Sequence, residues 1–325
     1  MTQSIHNLLR FAAIVTSAVI VYVGAVFIER KITADSLNTD IKTSSEYFEE
    51  LTKVYIDGAA YIPQTDVETF LIIGVDKYET EETEYFLNHE QADFAALAVI
   101  HNDKKEWKII QFNRDTMKNV HVLDVYGNNA GTEKMQLALS HTYGSGKYDS
   151  CLNTAKAISD FLYGVEINSC LHLSMNAVPI INDHFGGVTV KIKDGMTSVD
   201  KAFKKNKTVT LKGDQVLSFV RARQGLEDSS NTARMERQKQ YLVALAKAVQ
   251  QSSADSTLLT EIEPYTVGNI DAGVLTSYWD IFREYSFMGI ISPKGETVKG
   301  ETYMEFYADE DDVKNIVKTE FYIPA

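Results

Sequence analysis

The run "FLIIGVD", residues 70–76, is a short apolar segment closed by a carboxylate. So short a run, flanked by polar residues and rich in isoleucine and valine, reads as a strand covered on both faces. Asp76 then stands at its C-terminal end. Two similar runs follow, "FAALAVIH" (94–101) and "WKIIQF" (107–112), and Asn102-Asp103 between them suggests a hairpin. Asp93 immediately precedes the first run, and Arg114-Asp115 follows the second.

Outward from this core, helical spacing predicts helices near 133–143, 150–163 and 175–185, with strands near 169–173 and 188–192. Gly186-Gly187 reads as a helix C-cap and turn. A polar loop at 201–207 and a short helix at 214–220 follow. A long helix then starts at Asn231 as N-cap, carries an apolar stripe of Met235, Leu242, Leu245, Ala246 and Val249, and runs to about residue 250. The last 75 residues give helices near 272–285 and 310–319 and strands near 287–291 and 303–307. Interleaved strands and helices predict an α/β fold, a three-layer α-β-α sandwich around a central mixed sheet, occupying residues 69–325.

The N-terminus differs. Residues 11–28, "FAAIVTSAVIVYVGAVFI", carry no charge. As a helix they span about 27 Å, close to the thickness of a bilayer's hydrocarbon. A cleaved signal peptide, with Val23 and Ala25 as the small-residue site, is the competing reading. The run's continuation to Ile28 and its close on Glu29-Arg30-Lys31 favour an uncleaved transmembrane helix within residues 1–31. Basic residues on both sides leave its orientation ambiguous by charge. Residues 32–68 read as a juxtamembrane linker with a short helix, from a Thr43/Glu46 capping box and Tyr47, Phe48, Leu51, Val54 and Tyr55 at helical spacing.

A net charge of −13 argues against nucleic acid as a partner, since phosphate contacts need a broad basic face. Cys151 and Cys170 are the only cysteines; they read as two buried side chains or, in an oxidising compartment, as a disulfide. No histidine sits at metal-ligand spacing from either. Gly144-Ser145-Gly146-Lys147 is not a phosphate loop, because His141 occupies the place of the first glycine and Tyr148 that of the Ser or Thr.

Arginine is concentrated elsewhere. The segment "FVRARQGLEDSSNTARMERQKQ" (219–240) holds four of the chain's eight arginines, Arg221, Arg223, Arg234 and Arg237. Guanidinium is a planar fork suited to two oxygens at once, so the cluster points to an anion of defined geometry. Arg221 and Arg223 face one side if their segment is extended. Arg234 and Arg237 share a helix face at i, i+3. Asp76 and Asp93, at adjacent strand ends, either cap turns or share one Mg²⁺. Together these groups describe a metal-plus-guanidinium site for a pyrophosphate.

These residues carry a resemblance. "IIGVD" (72–76), "QAD" (91–93), "NRDT" (113–116), "KMQLALSHTYGSG" (134–146), "HFGGVTV" (184–190), "LKGDQVLSFVRAR" (211–223) and "RMERQ" (234–238) occur in the order found in the LytR-CpsA-Psr family of membrane-anchored phosphotransferases, which this sequence resembles. The resemblance implies an extracytoplasmic domain behind a cytoplasmic stub and a single-pass cell-membrane anchor. It also implies transfer of a glycopolymer from an undecaprenyl-pyrophosphate carrier to a peptidoglycan acceptor in cell-wall assembly, with pyrophosphatase action as a side activity. By position, Asp76 and Asp93 would hold Mg²⁺ (or Mn²⁺), and Arg114, Arg221 and Arg223 would be catalytic. Gln91, Arg234, Arg237 and Gln238 would join them on the pyrophosphate.

Two positions depart from the commonest family pattern. Gln91 stands where an arginine often precedes the second aspartate, and Asn231 where an aspartate often precedes the helix arginine. A variant active site is one reading of this; a non-catalytic wall-polymer-binding or envelope-regulatory protein is the other. A transcription regulator is a third, opposed by the acidic charge and the anchor.

Overall fold

Strand β3 (Val67–Val75) lies inside a six-stranded sheet because both of its faces are apolar. Leu71, Ile73 and Val75 enter one core cluster, while Phe70 and Ile72 enter another on the opposite face. The computed structural model describes residues 53–56, 58–76, 88–223, 225–252, 257–268 and 272–325. The expected span at 11–28 and the Thr43/Glu46 capping box lie outside these. Among the described residues no helix is long and apolar enough to cross a membrane.

The described residues fall into two units, 63–323 and a smaller one that holds the described residues before 63 with Pro324 and Ala325. In the smaller unit β1 (Val54–Ile56) pairs antiparallel with β2 (Ala59–Pro63). Val54 and Tyr55, expected on a helix, are therefore on a strand, consistent with their β-branched and aromatic side chains.

In the larger unit β3 pairs antiparallel with β4 (Ala92–His101), which pairs antiparallel with β5 (Glu106–Phe112) through the expected hairpin. β8 (Ser169–Leu173) runs parallel to β3, β11 (Thr266–Gly268) antiparallel to β8, and β12 (Ser286–Ile291) parallel to β5. The sheet order is β11-β8-β3-β4-β5-β12, a mixed sheet as expected. Helix α1 (Tyr148–Phe161) and the C-terminal helix (Glu310–Phe321) supply the core on one face. The other face is covered by the long helix (Asn231–Gln251) through Ala246, and by the helix Ala272–Glu284 through Tyr278, Ile281 and Phe282.

The helix expected near 133–143, between β5 and α1, is not formed. β6 (Met117–Leu123) and β7 (Asn129–Gln136) form an unforeseen hairpin, so residues 133–136, expected to be helical, are extended. Only a 3-10 turn, Leu137–Thr142, follows. The hairpin is set by its turn: Asp124 accepts from the backbone N–H of Tyr126 and Asn128, and Gly127 takes φ +82°. β9 (Val188–Lys191) pairs with a further strand, β10 (Thr208–Leu211), and Gly186 and Gly187 make the expected left-handed turn before it.

Candidate functional site

The C-terminal ends of β3 and β5 and the N-terminal end of β4 meet at one edge of the sheet. Ligands of open α/β sheets bind beyond such carboxyl ends. The β3–β4 register breaks here: Gly74 pairs with Phe94 and Val75 with Ala92, so Asp93 is the extra residue of a bulge. The phase of β4 inverts accordingly, with Ala92 in one core cluster and Phe94 against the other. Bulges re-aim side chains, and this one turns Asp93 toward Arg114 rather than into either core.

Arg114, just past β5, divides its fork. Nη1 donates to Asp93 Oδ1 and Nη2 to Gln91 Oε1. Its Nε lies 3.5 Å from Asp115 Oδ1. Arg234, one turn into the long helix, is buried and sends Nη1 toward the same Asp93 oxygen at 3.5 Å. Its Nε and Nη2 donate to Asn231 Oδ1 at 3.1 and 2.6 Å. Asn231 Nδ2 in turn donates to Asn113 Oδ1 at 2.7 Å, and that oxygen also accepts from the Asp115 backbone N–H. Asn231 is not the N-cap. Ser230 is, its Oγ accepting from Ala233 N–H, which leaves the Asn231 side chain to the site.

Burial here is expensive and only partly compensated. It pulls Arg234 down to about 10, against the attraction of Asp93 and with Arg114 and Arg223 pushing the same way as burial. Burial likewise raises the Asp115 carboxyl, against the arginines 114, 234 and 223. Three guanidiniums therefore share a field that two carboxylates incompletely neutralise, which favours an anion.

The other arginines depart from expectation. The helix Gln215–Arg221 extends through Arg221, so Arg221 and Arg223 are not successive members of a strand face. Arg221 Nη2 donates to both oxygens of Asp76, at 2.6 and 2.5 Å. Arg223 follows on the exposed connection and donates weakly from Nε to the Ser229 carbonyl at 3.4 Å. Arg237 does not share the direction of Arg234. Its Nη2 donates to the Ala222 carbonyl, while Gln238 Nε2 donates to the Val220 carbonyl at 3.4 Å and Gln238 Oε1 accepts from buried Gln111. Arg237 and Gln238 thus pin the backbone that carries Arg221 and Arg223. A basic residue at i+3 does not reveal this, because the acceptor is a main-chain carbonyl 15 residues away. Asn113 was also illegible as a site residue, although an Asn two residues before an N–H that its side chain can bind is a usable turn signal.

Asp76 and Asp93 suit a divalent cation by position and donor type: both are oxygen ligands, partly exposed, at neighbouring strand ends. Each is bound by a guanidinium, Asp76 by Arg221 and Asp93 by Arg114.

Away from this edge, Cys151 and Cys170 are buried and not joined in a disulfide, and the fold brings His141 and His172 to Cys151. The absence of ligand spacing in the sequence did not anticipate this, because the three residues come from a 3-10 turn, a helix and a strand. The loop at 144–147 is closed on itself, Asp149 accepting from the Ser145 N–H and hydroxyl, as its departure from a phosphate loop implies.

No curated protein matches this sequence significantly. Solved structures share the fold. TagT bound to LIIa-WTA aligns with a TM-score of 0.61 at 18% identity, over 78% of this chain and 89% of that one. TagT of B. subtilis gives 0.60 at 16% identity over 78% and 89%, and TagV of B. subtilis 0.59 at 18% over 79% and 96%. The sequence model of one family matches residues 27–321, nearly all of the chain and every motif around the sheet edge, and the chain accordingly belongs to the LytR_cpsA_psr family.

Proposed function

We propose that this protein transfers a cell-wall glycopolymer from an undecaprenyl-pyrophosphate carrier to peptidoglycan, forming a phosphodiester. The observation that carries the reading is the meeting of Arg114 and Arg234 on Asp93 at the sheet's edge, with Arg223 close enough to add its charge to that of Arg234. Membership of a phosphotransferase family supports it. So does the likeness to TagT, which has been solved with LIIa-WTA and LI-WTA.

In this reading an acceptor hydroxyl attacks the phosphorus that bears the glycan. The bond from that phosphorus to the bridging oxygen breaks, the hydroxyl proton passes to a base, and undecaprenyl phosphate departs with the bridging oxygen. Negative charge grows on the leaving phosphate. Guanidiniums already fixed around it stabilise that growth more than the ground state. A divalent ion held by Asp76 and Asp93 would neutralise further phosphate charge. Arg221 and Arg114 would then pass from the carboxylates to phosphate oxygens, exchanging one set of charge-assisted bonds for another.

The non-catalytic reading rests on Gln91 and Asn231. Yet Asn231 accepts both Arg234 donors, as a carboxylate would, and Gln91 accepts from Arg114. Both are neutral, so neither cancels guanidinium charge. This favours a variant enzyme over a degenerate one.

The test incubates the purified full chain with a polyprenyl-pyrophosphate sugar, Mg²⁺ and a peptidoglycan oligomer. Covalent sugar–peptidoglycan product with release of polyprenyl phosphate is expected. Tight binding of the donor without product would instead establish the binding protein.

A further inference from the structure

His141, in the 3-10 turn, Cys151, on α1, and His172, on β8, are each wholly buried. One ligand atom from each lies within 4.8 Å of the other two. Cys170 precedes His172 by two on β8, so the strand's period puts both side chains on the same face, against α1. The Cys151 thiol lies beside that of Cys170 and donates to the Val267 carbonyl at 3.7 Å. The ligand atoms of His141, Cys151 and His172 therefore converge between the sheet and α1, with Cys170 beside Cys151, in a core that includes Val75, Ile158 and Leu162.

His141 carries the stronger clue. Its Nδ1 lies 3.1 Å from the Glu90 carbonyl, an acceptor only, so Nδ1 bears the proton. Nε2 is then a lone pair, and it is buried with no hydrogen-bond donor among the described residues. A buried acceptor left unmade costs about 1–3 kcal/mol and calls for a reason. An imidazole whose far nitrogen is fixed by a backbone carbonyl, leaving Nε2 bare, is the arrangement of a metal-ligating histidine with its outer support.

We infer that His141, Cys151, Cys170 and His172 form a structural site for a thiophilic divalent cation, Zn²⁺. Two thiolates and two neutral imidazoles around Zn²⁺ sum to zero charge, so the filled site can sit in a dry core without a net buried ion. Binding releases one proton from each thiol. Metal–ligand bonds of about 2.0–2.3 Å place tetrahedral ligand atoms roughly 3.5 Å apart, so the three clustered atoms draw in by about 1 Å. The surrounding anchors are already built. Buried Asn88 donates to the carbonyls of His141 and Gly144, each at 2.9 Å. Gly144, at φ +147°, passes so close to Ser150 that a Cβ would lie 2.7 Å from its backbone nitrogen. The segment held this way, Asn88 to Glu90, leads directly to Gln91 and Asp93, so the ion would brace the floor of the sheet-edge site.

The full chain, purified under reducing conditions without added metal, should contain about one zinc per chain by mass spectrometry. After removal of the metal by chelator, Co²⁺ should restore a tetrahedral d–d spectrum with thiolate-to-cobalt charge transfer. Cys151→Ser should reduce zinc retention by at least about tenfold, with Gln91 and Asp93 untouched. Should that variant not fold, the Co²⁺ spectrum of the unaltered chain decides alone. Absence of both zinc and the cobalt charge-transfer band would overturn the site. So would full zinc retention by folded Cys151→Ser, or a native Cys151–Cys170 disulfide in protein taken from cells with its thiols trapped.

Discussion

Arg234 lays two of its donors on the carboxamide oxygen of Asn231, one helical turn earlier, at 3.1 and 2.6 Å. The geometry fixes which atom is which. Arginine has only donors, so oxygen must face it, and the Asn231 nitrogen must face Asn113. Asn113 presents oxygen there because that atom also accepts from the Asp115 N–H. An aspartate at 231 would set two oxygens against each other. The departure at 231 from the usual family residue is therefore matched by Asn113.

Asn231→Ala should cost about 1–3 kcal/mol, since it strands two buried guanidinium donors and leaves the Asn113 oxygen with only the Asp115 N–H. Asn231→Asp should recover stability only when Asn113 is also changed to Asp115-compatible Ser. Thermal unfolding of the single and double variants measures both, and equal stability of Asn231→Asp with the parent would contradict the assignment.

Arg237→Ala should leave the sheet edge folded but loosen the connection that bears Arg223, because the bond to the Ala222 carbonyl is lost. Turnover should fall through a raised KM for the pyrophosphate donor, with limited proteolysis accelerating near residues 222–230. Unchanged proteolysis together with a lowered kcat would instead place Arg237 on the substrate.

Much of this was legible. β3, β4 and β5 were plain because buried strands leave uninterrupted apolar runs, and Asp76, Asp93 and Arg114 could be placed at their ends. The β6–β7 hairpin was not, because most of β7 is exposed and lacks a periodic apolar signal. Nor was the pairing of Arg237 with a main-chain carbonyl, or the meeting of His141 and His172 with Cys151. Such contacts follow from tertiary approach, which local spacing does not encode.

Gln91→Arg should be tolerated or raise turnover. It gives up the bond from Arg114 and adds a second guanidinium, a repulsive pair without ligand that a pyrophosphate would relieve. Donor affinity measured at rising salt should show the added charge as a steeper dependence. A tenfold loss of turnover in a folded variant would mean that Gln91 has a specific role a cation cannot fill.

Glu320 makes stability sensitive to acid. Burial pushes its carboxyl upward, but contacts with His101 and with Lys108, at 2.7 Å, outweigh this and hold it below the ordinary 4.5. A depressed carboxyl contributes stability above its unfolded value, and that contribution disappears as pH falls below 4.5 through the folded one. The melting temperature of the parent should therefore exceed that of Glu320→Gln at neutral pH, and the gap should close as the solution is acidified. A gap independent of pH would contradict the ion-pair account.

The body of the chain, from about residue 32, is expected outside the cytoplasmic membrane. Protease added to intact, wall-stripped cells should remove the domain and leave a short membrane-bound stub. Complete protection would reverse the topology.

The central claim is that arginines at the sheet edge clamp a pyrophosphate, and steady-state transfer by Arg221→Ala and Arg223→Ala tests it most directly. Each should slow turnover by roughly 10² to 10³, the scale of a lost preorganised electrostatic donor. Lysine at either position should rescue only partly, keeping charge but losing the fork. Stability should change by less than about 1 kcal/mol for Arg221→Ala, whose ion pair with Asp76 is exposed. Turnover at the parent rate by both alanine variants would contradict the clamp and leave these arginines as surface charge.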